Sequence, residues 1–193
     1  MHVVSAAQKV SDEALVALIA EGDKRAMELL FVRHNLRVHR FVCRLTGDFL
    51  LAEEIVSDVF LAVWRGAETF EVKSRVSTWL LAIARHKAIA VLRRRRELQL
   101  DDEDAAALAD DADGPETSVQ EWSRSAIIQK CMKRLSPSHR EIIDLVYYHE
   151  KSVAEAAQIV GIPEGTVKTR MLRARLRMAE LLRDAGVDGL HAC

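Results

Sequence analysis

Aromatic residues make up only 5% of this 193-residue chain, too few for the aromatic and β-branched surfaces that strand-rich folds pack together. With 3 prolines and 8 glycines there is also little turn chemistry, and the long stretches rich in Ala, Leu, Arg and Glu favour helices. The expected fold class is all-α. Cys43, Cys131 and Cys193 are scattered without a Cys-x-x-Cys pair, so neither a disulfide framework nor a zinc site is indicated; two of the three are expected in cores. Apolar runs such as Trp79 to Ala84 fall far short of the roughly 20 residues a bilayer requires, and no basic start followed by a hydrophobic segment resembles a secretory signal. A cytoplasmic protein with no membrane insertion is expected. No nucleophile, base and orienting group stand together and no metal-ligand cluster exists, so the reading assigns no catalytic residue, metal or cofactor. His34, His39, His139 and His149 read as surface or capping histidines.

What the chain does have is segregated charge. Residues 1–96 carry a net +5, residues 97–118 a net −9 with no basic residue, and residues 119–193 a net +3. The middle stretch lacks a periodic apolar face, and its dense like charge cannot offset ordering entropy by burial, so it reads as an acidic flexible linker between two small helical domains. An acidic solvated helix around Asp104 to Asp111 is the alternative, and it too separates two bodies. Two basic bodies suggest contacts with a polyanion at both ends.

Residues 151–176 carry the sharpest signal. Ser152 followed three residues later by Glu155 is a capping box, Gly161 ends the helix it opens, and Pro163 suits the edge of a second helix. The result is a helix-turn-helix. In its second helix Val167, Met171, Ala174, Met178 and Leu181 recur at spacings of four and three and form the core stripe. Thr166, Thr169, Leu172 and Arg173 then project the other way, with Lys168 and Arg170 on the flanks. Arginine can fork onto guanine, threonine can donate or accept, an outward leucine can meet a thymine methyl group, and the flanking charges suit phosphates. The bland alternative is a basic helix with solvated arginines.

In the first body, Ser11 and Asp23 read as N-caps and Gly22, Gly47 and Gly66 as stops, giving helices near 12–20, 24–46 and 49–65, with a fourth opening at Ser77. The third carries a core stripe of Leu51, Ile55, Val59 and Ala62 and a second stripe of Glu54, Asp58 and Leu61, either a protein-docking face or a solubility device. The fourth runs into Arg93 to Arg96, a solvated helix end or a binding patch. In the second body, helices near 119–134 and 137–149 precede the helix-turn-helix, with Ser136 and Pro137 as cap and first position.

Together these residues resemble the bacterial RNA polymerase sigma factors of the extracytoplasmic-function (ECF) class, over about Asp12 to Leu182. Ala52 to Trp64 resembles the helix that grips the polymerase clamp, Ser77 to Arg85 the helix behind the loop that opens the minus-ten element, and Leu135 to Arg175 the domain that reads the minus thirty-five element. The resemblance implies sigma domain 2 over 1–96, an acidic linker over 97–118 that threads through polymerase, and sigma domain 4 over 119–193. It implies polymerase contacts by Glu53, Glu54, Asp58 and Leu61, and minus-ten contacts by Lys73, Ser74, Arg75, Trp79 and Arg85. Minus thirty-five contacts fall to Thr166, Lys168, Thr169, Arg170, Leu172 and Arg173. The implied partners are core RNA polymerase, promoter DNA and an anti-sigma factor. Ser57, His86 and Ala90 depart from the glutamine, asparagine and aspartate common in the family. A reading from the residues alone also leaves open a free-standing helix-turn-helix regulator that dimerises and binds a palindrome.

Overall fold

A computed structural model describes residues 10–101 and 119–186, and among the described residues every regular element is helical. The chain divides into two units, Met1–Asp110 and Asp111–Cys193. Most of the acidic stretch, including Asp104 to Asp111, lies outside the described residues, as does Cys193.

The first unit contains α1 (Asp12–Ala20), α2 (Lys24–Thr46), α3 (Phe49–Gly66), a 3-10 turn (Ala67–Thr69) and α4 (Val76–Asp101). Local chemistry sets the ends. Ser11 accepts from the amide of Ala14, Asp23 from those of Arg25 and Ala26, and Asp48 from that of Leu51. Each such cap contributes about 1 kcal/mol. Gly47 closes α2 at φ 71, a left-handed conformation that a Cβ would strain. Gly66, by contrast, is the last residue of α3 rather than a cap beyond it, and the chain tightens there into the 3-10 turn. Helix α2 packs against α1, α3 and α4. Leu15 and Val16 of α1, Leu30, Phe41 and Val42 of α2, Val59 of α3 and Leu80 and Leu81 of α4 are fully buried there. Truncating such a leucine to alanine costs about 2–5 kcal/mol.

The same unit contains a polar clasp. The carboxylate of Asp12 at the start of α1 accepts from Arg33 Nη1 at 2.8 Å and from His34 Nε2 at 2.7 Å on α2. His34 is buried, which corrects the expectation of a surface histidine: the helix pairing places the ring beneath α1. Burial alone pushes the Asp12 carboxyl up, but the hydrogen bonds from Arg33 and His34 outweigh it and hold the group below its ordinary value.

The second unit contains α5 (Val119–Lys133), α6 (Pro137–Ile143), a π-helical turn (Asp144–Tyr148), α7 (Val153–Val160) and α8 (Glu164–Asp184). The helix expected over 137–149 is thus α-helical only to Ile143. The wider turn buries Asp144 and Leu145 and turns Tyr147 and Tyr148 outward. His149 follows as the C-cap of that turn, its amide donating to the carbonyl of Asp144 at 3.1 Å, and it is buried instead of lying on the surface, with Nε2 3.4 Å from Asp144 Oδ2. Glu150 then sits at φ 54, the one described non-glycine residue with a positive φ. Cys131, Met132, Leu135, Ile143, Ala174, Leu181 and Leu182 form a core cluster in which α5 and α6 pack on α8. Of the other cysteines, Cys43 is half-buried, and burial raises its thiol above the ordinary value, which disfavours the reactive thiolate.

Candidate functional site

The helix-turn-helix forms as its residues dictate. Ser152 Oγ accepts from the amide of Glu155 at 3.2 Å while the Glu155 carboxylate accepts from the amide of Ser152 at 3.0 Å. Gly161 ends α7 at φ 71, and its amide donates to the carbonyl of Ala157 at 2.8 Å. Pro163 opens α8, and its carbonyl accepts from Thr166 and Val167 at 2.9 and 3.1 Å.

Val167, Ala174 and Leu181 are fully buried, and Met171 and Met178 are partly buried, so the stripe faces the core. The opposite face of α8 is open. Lys168, Thr169 and Arg173 are exposed, Leu172 is 58% exposed, and Thr166 and Arg170 are half-buried at the edge. Thr169 Oγ1 donates to the carbonyl of Gly165 at 2.9 Å, which spends its one proton inside the helix. Its lone pairs remain, so it suits an amino group such as adenine N6 or cytosine N4. No side chain caps the first turn, and a Cβ on Gly165 would meet nothing within 4 Å. A phosphate can therefore approach the open amides of the helix tip closely.

On α3 of the first unit, Glu54, Asp58 and Leu61 share one exposed stripe, with Leu61 45% exposed. Glu53 is exposed about 100° to one side, where its carbonyl accepts from Ser57 Oγ at 3.1 Å. Beside the stripe lies a groove lined by Asp58, Leu61, Ala62, Arg65, Gly66 and Lys87, with Lys87 Nζ 4.0 Å from Asp58 Oδ2. Arg65 could have been found from its four-residue spacing to Leu61. Lys87 could not, because only the packing of α4 on α3 brings it there.

The loop before α4 carries Lys73, Ser74 and Arg75 in sequence, with Arg75 one turn before Trp79. Lys73 Nζ pairs with Glu71 at 2.5 Å in solvent, and the carbonyl of Arg75 accepts from the amides of Thr78 and Trp79 at 2.9 and 3.1 Å. Trp79 is half-buried, its ring 4.9 Å from that of Phe70, so it braces the loop base. Arg85 lies apart from this group. Six residues beyond Trp79, it is about 9 Å further along the helix and on a different face.

The comparisons with known proteins divide the chain in the same order. The family described as Sigma-70 region 2 matches residues 30–97, and Sigma-70, region 4, matches residues 125–178. Among curated relatives, the ECF RNA polymerase sigma factor SigM of Mycobacterium tuberculosis is 32% identical over 173 residues, covering 89% of this chain and 85% of that protein. The ECF RNA polymerase sigma factor SigW of Bacillus subtilis is 29% identical over 175 residues, covering 86% and 94%. Among solved structures, the sigma factor RpoE in complex with the anti-sigma factor NepR from Bartonella quintana aligns with a TM-score of 0.65 at 29% identity, covering 82% of this chain and 96% of that one. CnrH in complex with the cytosolic domain of CnrY aligns at 0.66 and 25% identity, covering 90% and 97%. Among the described residues, no helix is long and apolar enough to cross a membrane and no cluster of metal-ligating side chains occurs.

Proposed function

The chain belongs to the ECF class of RNA polymerase sigma factors, and from that membership we propose that it binds core RNA polymerase and directs initiation at a subset of promoters. The observation that carries this reading is the pairing of two unlike surfaces: an open α8 face of Thr169, Leu172 and Arg173, and an acidic α3 stripe of Glu54 and Asp58. The first suits base edges and phosphates in a major groove. The second suits basic residues of a protein partner. The chain acts by binding, in the cytoplasm where polymerase works, and catalyses no chemical step itself.

We assign residues 1–96 to sigma domain 2, 97–118 to an acidic linker and 119–193 to sigma domain 4. Glu53, Glu54, Asp58 and Leu61 dock on polymerase. Lys73, Ser74 and Arg75 hold the melted minus-ten strand, with Trp79 bracing their loop and Arg85 contacting the backbone farther along α4. Thr166, Lys168, Thr169, Arg170, Leu172 and Arg173 read the minus thirty-five element. Strand opening without nucleotide hydrolysis is then a binding problem, in which extruding a base costs a few kcal/mol that pocket contacts must offset. The RpoE and CnrH structures contain partner proteins, one named as an anti-sigma factor. This chain is held in check in the same way, by a protein that covers its polymerase-binding faces during unstressed growth.

Reconstituted transcription tests the reading. With core enzyme and a genomic template library, promoter-dependent transcripts appear only when the chain is added, and Glu54→Lys with Asp58→Lys abolishes them while leaving the fold intact. Tight binding of a palindromic duplex by a homodimer, with no effect on polymerase, would instead favour the free-standing regulator.

A further inference from the structure

The exposed side of α8 is basic for about four turns and then meets a carboxylate. From Gly165 to Ala179 the helix holds Lys168, Arg170, Arg173, Arg175 and Arg177 and no Asp or Glu; Glu164 lies before this stretch and Glu180 ends it. Seven residues are nearly two full turns, so Arg170 and Arg177 stand on one flank about 10 Å apart with Arg173 between them, and Lys168 and Arg175 stand on the other. Arg177 thus continues the row assigned above to the minus thirty-five element. It also makes a contact along the helix. Its Nη1 lies 2.9 Å from Glu180 Oε2, one turn further on, and each of the two side chains is about half exposed. Glu164, at the other end of the stretch, is about 20 Å away from Arg177 along the axis.

We propose that Glu180 acts on DNA binding through Arg177: the ion pair withholds this arginine from a phosphate at the groove edge and so sets where the α8 footprint ends. The inference rests on the assignment of α8 to DNA and names a positioning residue within it. Binding to a duplex gains from each phosphate that a cation neutralises, because condensed counterions are then released. An arginine held by a carboxylate brings no net charge, so a phosphate that meets the pair releases nothing further. Moving Arg177 onto the phosphate would instead leave the Glu180 carboxylate ionised beside the same backbone. Either way the gain of an unpaired arginine at this place is lost. With both side chains solvated, the pair adds little to the stability of the helix, and its effect belongs to binding. A phosphate carries no base information, so that effect is the same on every sequence.

The test uses holoenzyme assembled from core polymerase and the full chain, on a promoter duplex that it transcribes and on one whose minus thirty-five element is scrambled. Glu180→Gln keeps the length of the side chain and removes its charge. It tightens binding about two- to fivefold near about 0.1 M salt, on both duplexes alike. The slope of log affinity against log salt steepens by about 0.9, the signature of one further phosphate. Arg177→Ala alone shifts affinity by less than about twofold, yet in the Glu180→Gln chain it removes the gain. Unchanged thermal melting checks that all three variants fold. Equal tightening by Glu180→Gln with and without Arg177 would overturn the proposal, because Glu180 would then act by repelling DNA directly. An unchanged salt slope in Glu180→Gln would overturn it as well, and so would a loss of about fivefold or more from Arg177→Ala alone, since the arginine would already hold a phosphate. Lys168→Ala separates this inference from the reading beneath it. If that variant weakens binding while Glu180→Gln does nothing, the inference falls and the assignment of α8 stands; if neither changes binding, both fall.

Discussion

Arg95 Nη1 lies 3.0 Å from Asp48 Oδ2, so one arginine of the run Arg93 to Arg96 braces the residue that caps α3. The amide of Leu51 and the guanidinium of Arg95 together hold the Asp48 carboxyl below its ordinary value. The contact joins the far part of α4 to the start of α3. Part of a stretch that reads as a solvated helix end or a nucleic-acid patch therefore serves the fold itself.

Arg95→Ala is expected to lower stability by up to about 1 kcal/mol, because both side chains remain well solvated. Thermal unfolding at low salt detects the loss, and about 1 M salt erases it by screening. Arg94→Ala leaves the midpoint unchanged. A salt-independent loss in Arg95→Ala would mean that packing of its stem, not charge, joins the helices.

The clasp of Asp12 with Arg33 and His34 gives the fold an acid-sensitive component. Because the folded carboxyl titrates below its unfolded value, the ionised form stabilises the protein above about pH 4, and that contribution fades as pH falls through the folded value. Asp12→Asn should therefore cost about 1–2 kcal/mol in urea unfolding at pH 7 and much less near pH 3. An equal cost at both would show that charge is not what Asp12 contributes.

Arg173 and Lys168 should fail differently on DNA. Arg173→Ala is expected to cost about 1–3 kcal/mol and to relax preference at one upstream base pair. Lys168→Ala weakens matched and scrambled promoters alike and reduces the slope of log affinity against log salt by about 1. Titrations of the two variants at several salt concentrations separate the roles, and a uniform loss from Arg173→Ala would remove it from base reading.

Glu150 is held at φ 54, where a Cβ crowds the following carbonyl. Glu150→Gly is expected to stabilise the second unit by about 0.5–1 kcal/mol, while Glu150→Ala gains nothing because it keeps the Cβ. Chemical denaturation of the three proteins decides it. A gain in the alanine variant would point to the glutamate charge instead of the backbone.

What was legible in the sequence was local. The caps at Ser11, Asp23, Ser136 and Ser152 act over two or three residues, and the Val167 to Leu181 stripe repeats within one helix, so spacing alone reveals both. The helix-turn-helix and the outward set around Arg173 follow from the same periodicity. The burial of His34 and His149, the Asp12 clasp and the Arg95 brace are not local. Asp12 and Arg33 are 21 residues apart and Asp48 and Arg95 are 47 apart, separations for which a single sequence carries no spacing rule. Arg85 shows the converse: it is near Trp79 in sequence, yet the helix carries it away from the loop.

The π-helical turn after Ile143 has a consequence for how this protein tolerates change. A wider turn holds one residue more than an α-helical turn, so the surplus is taken up within Asp144–Tyr148 and is not passed on along the chain. Deleting Tyr147 would relieve that surplus, whereas deleting a residue inside α8 would turn every position beyond it by about 100° about the helix axis. The two stretches therefore differ in what a lost residue does: the wide turn can take it up by narrowing, while in α8 the apolar stripe and the outward face would both lose their register.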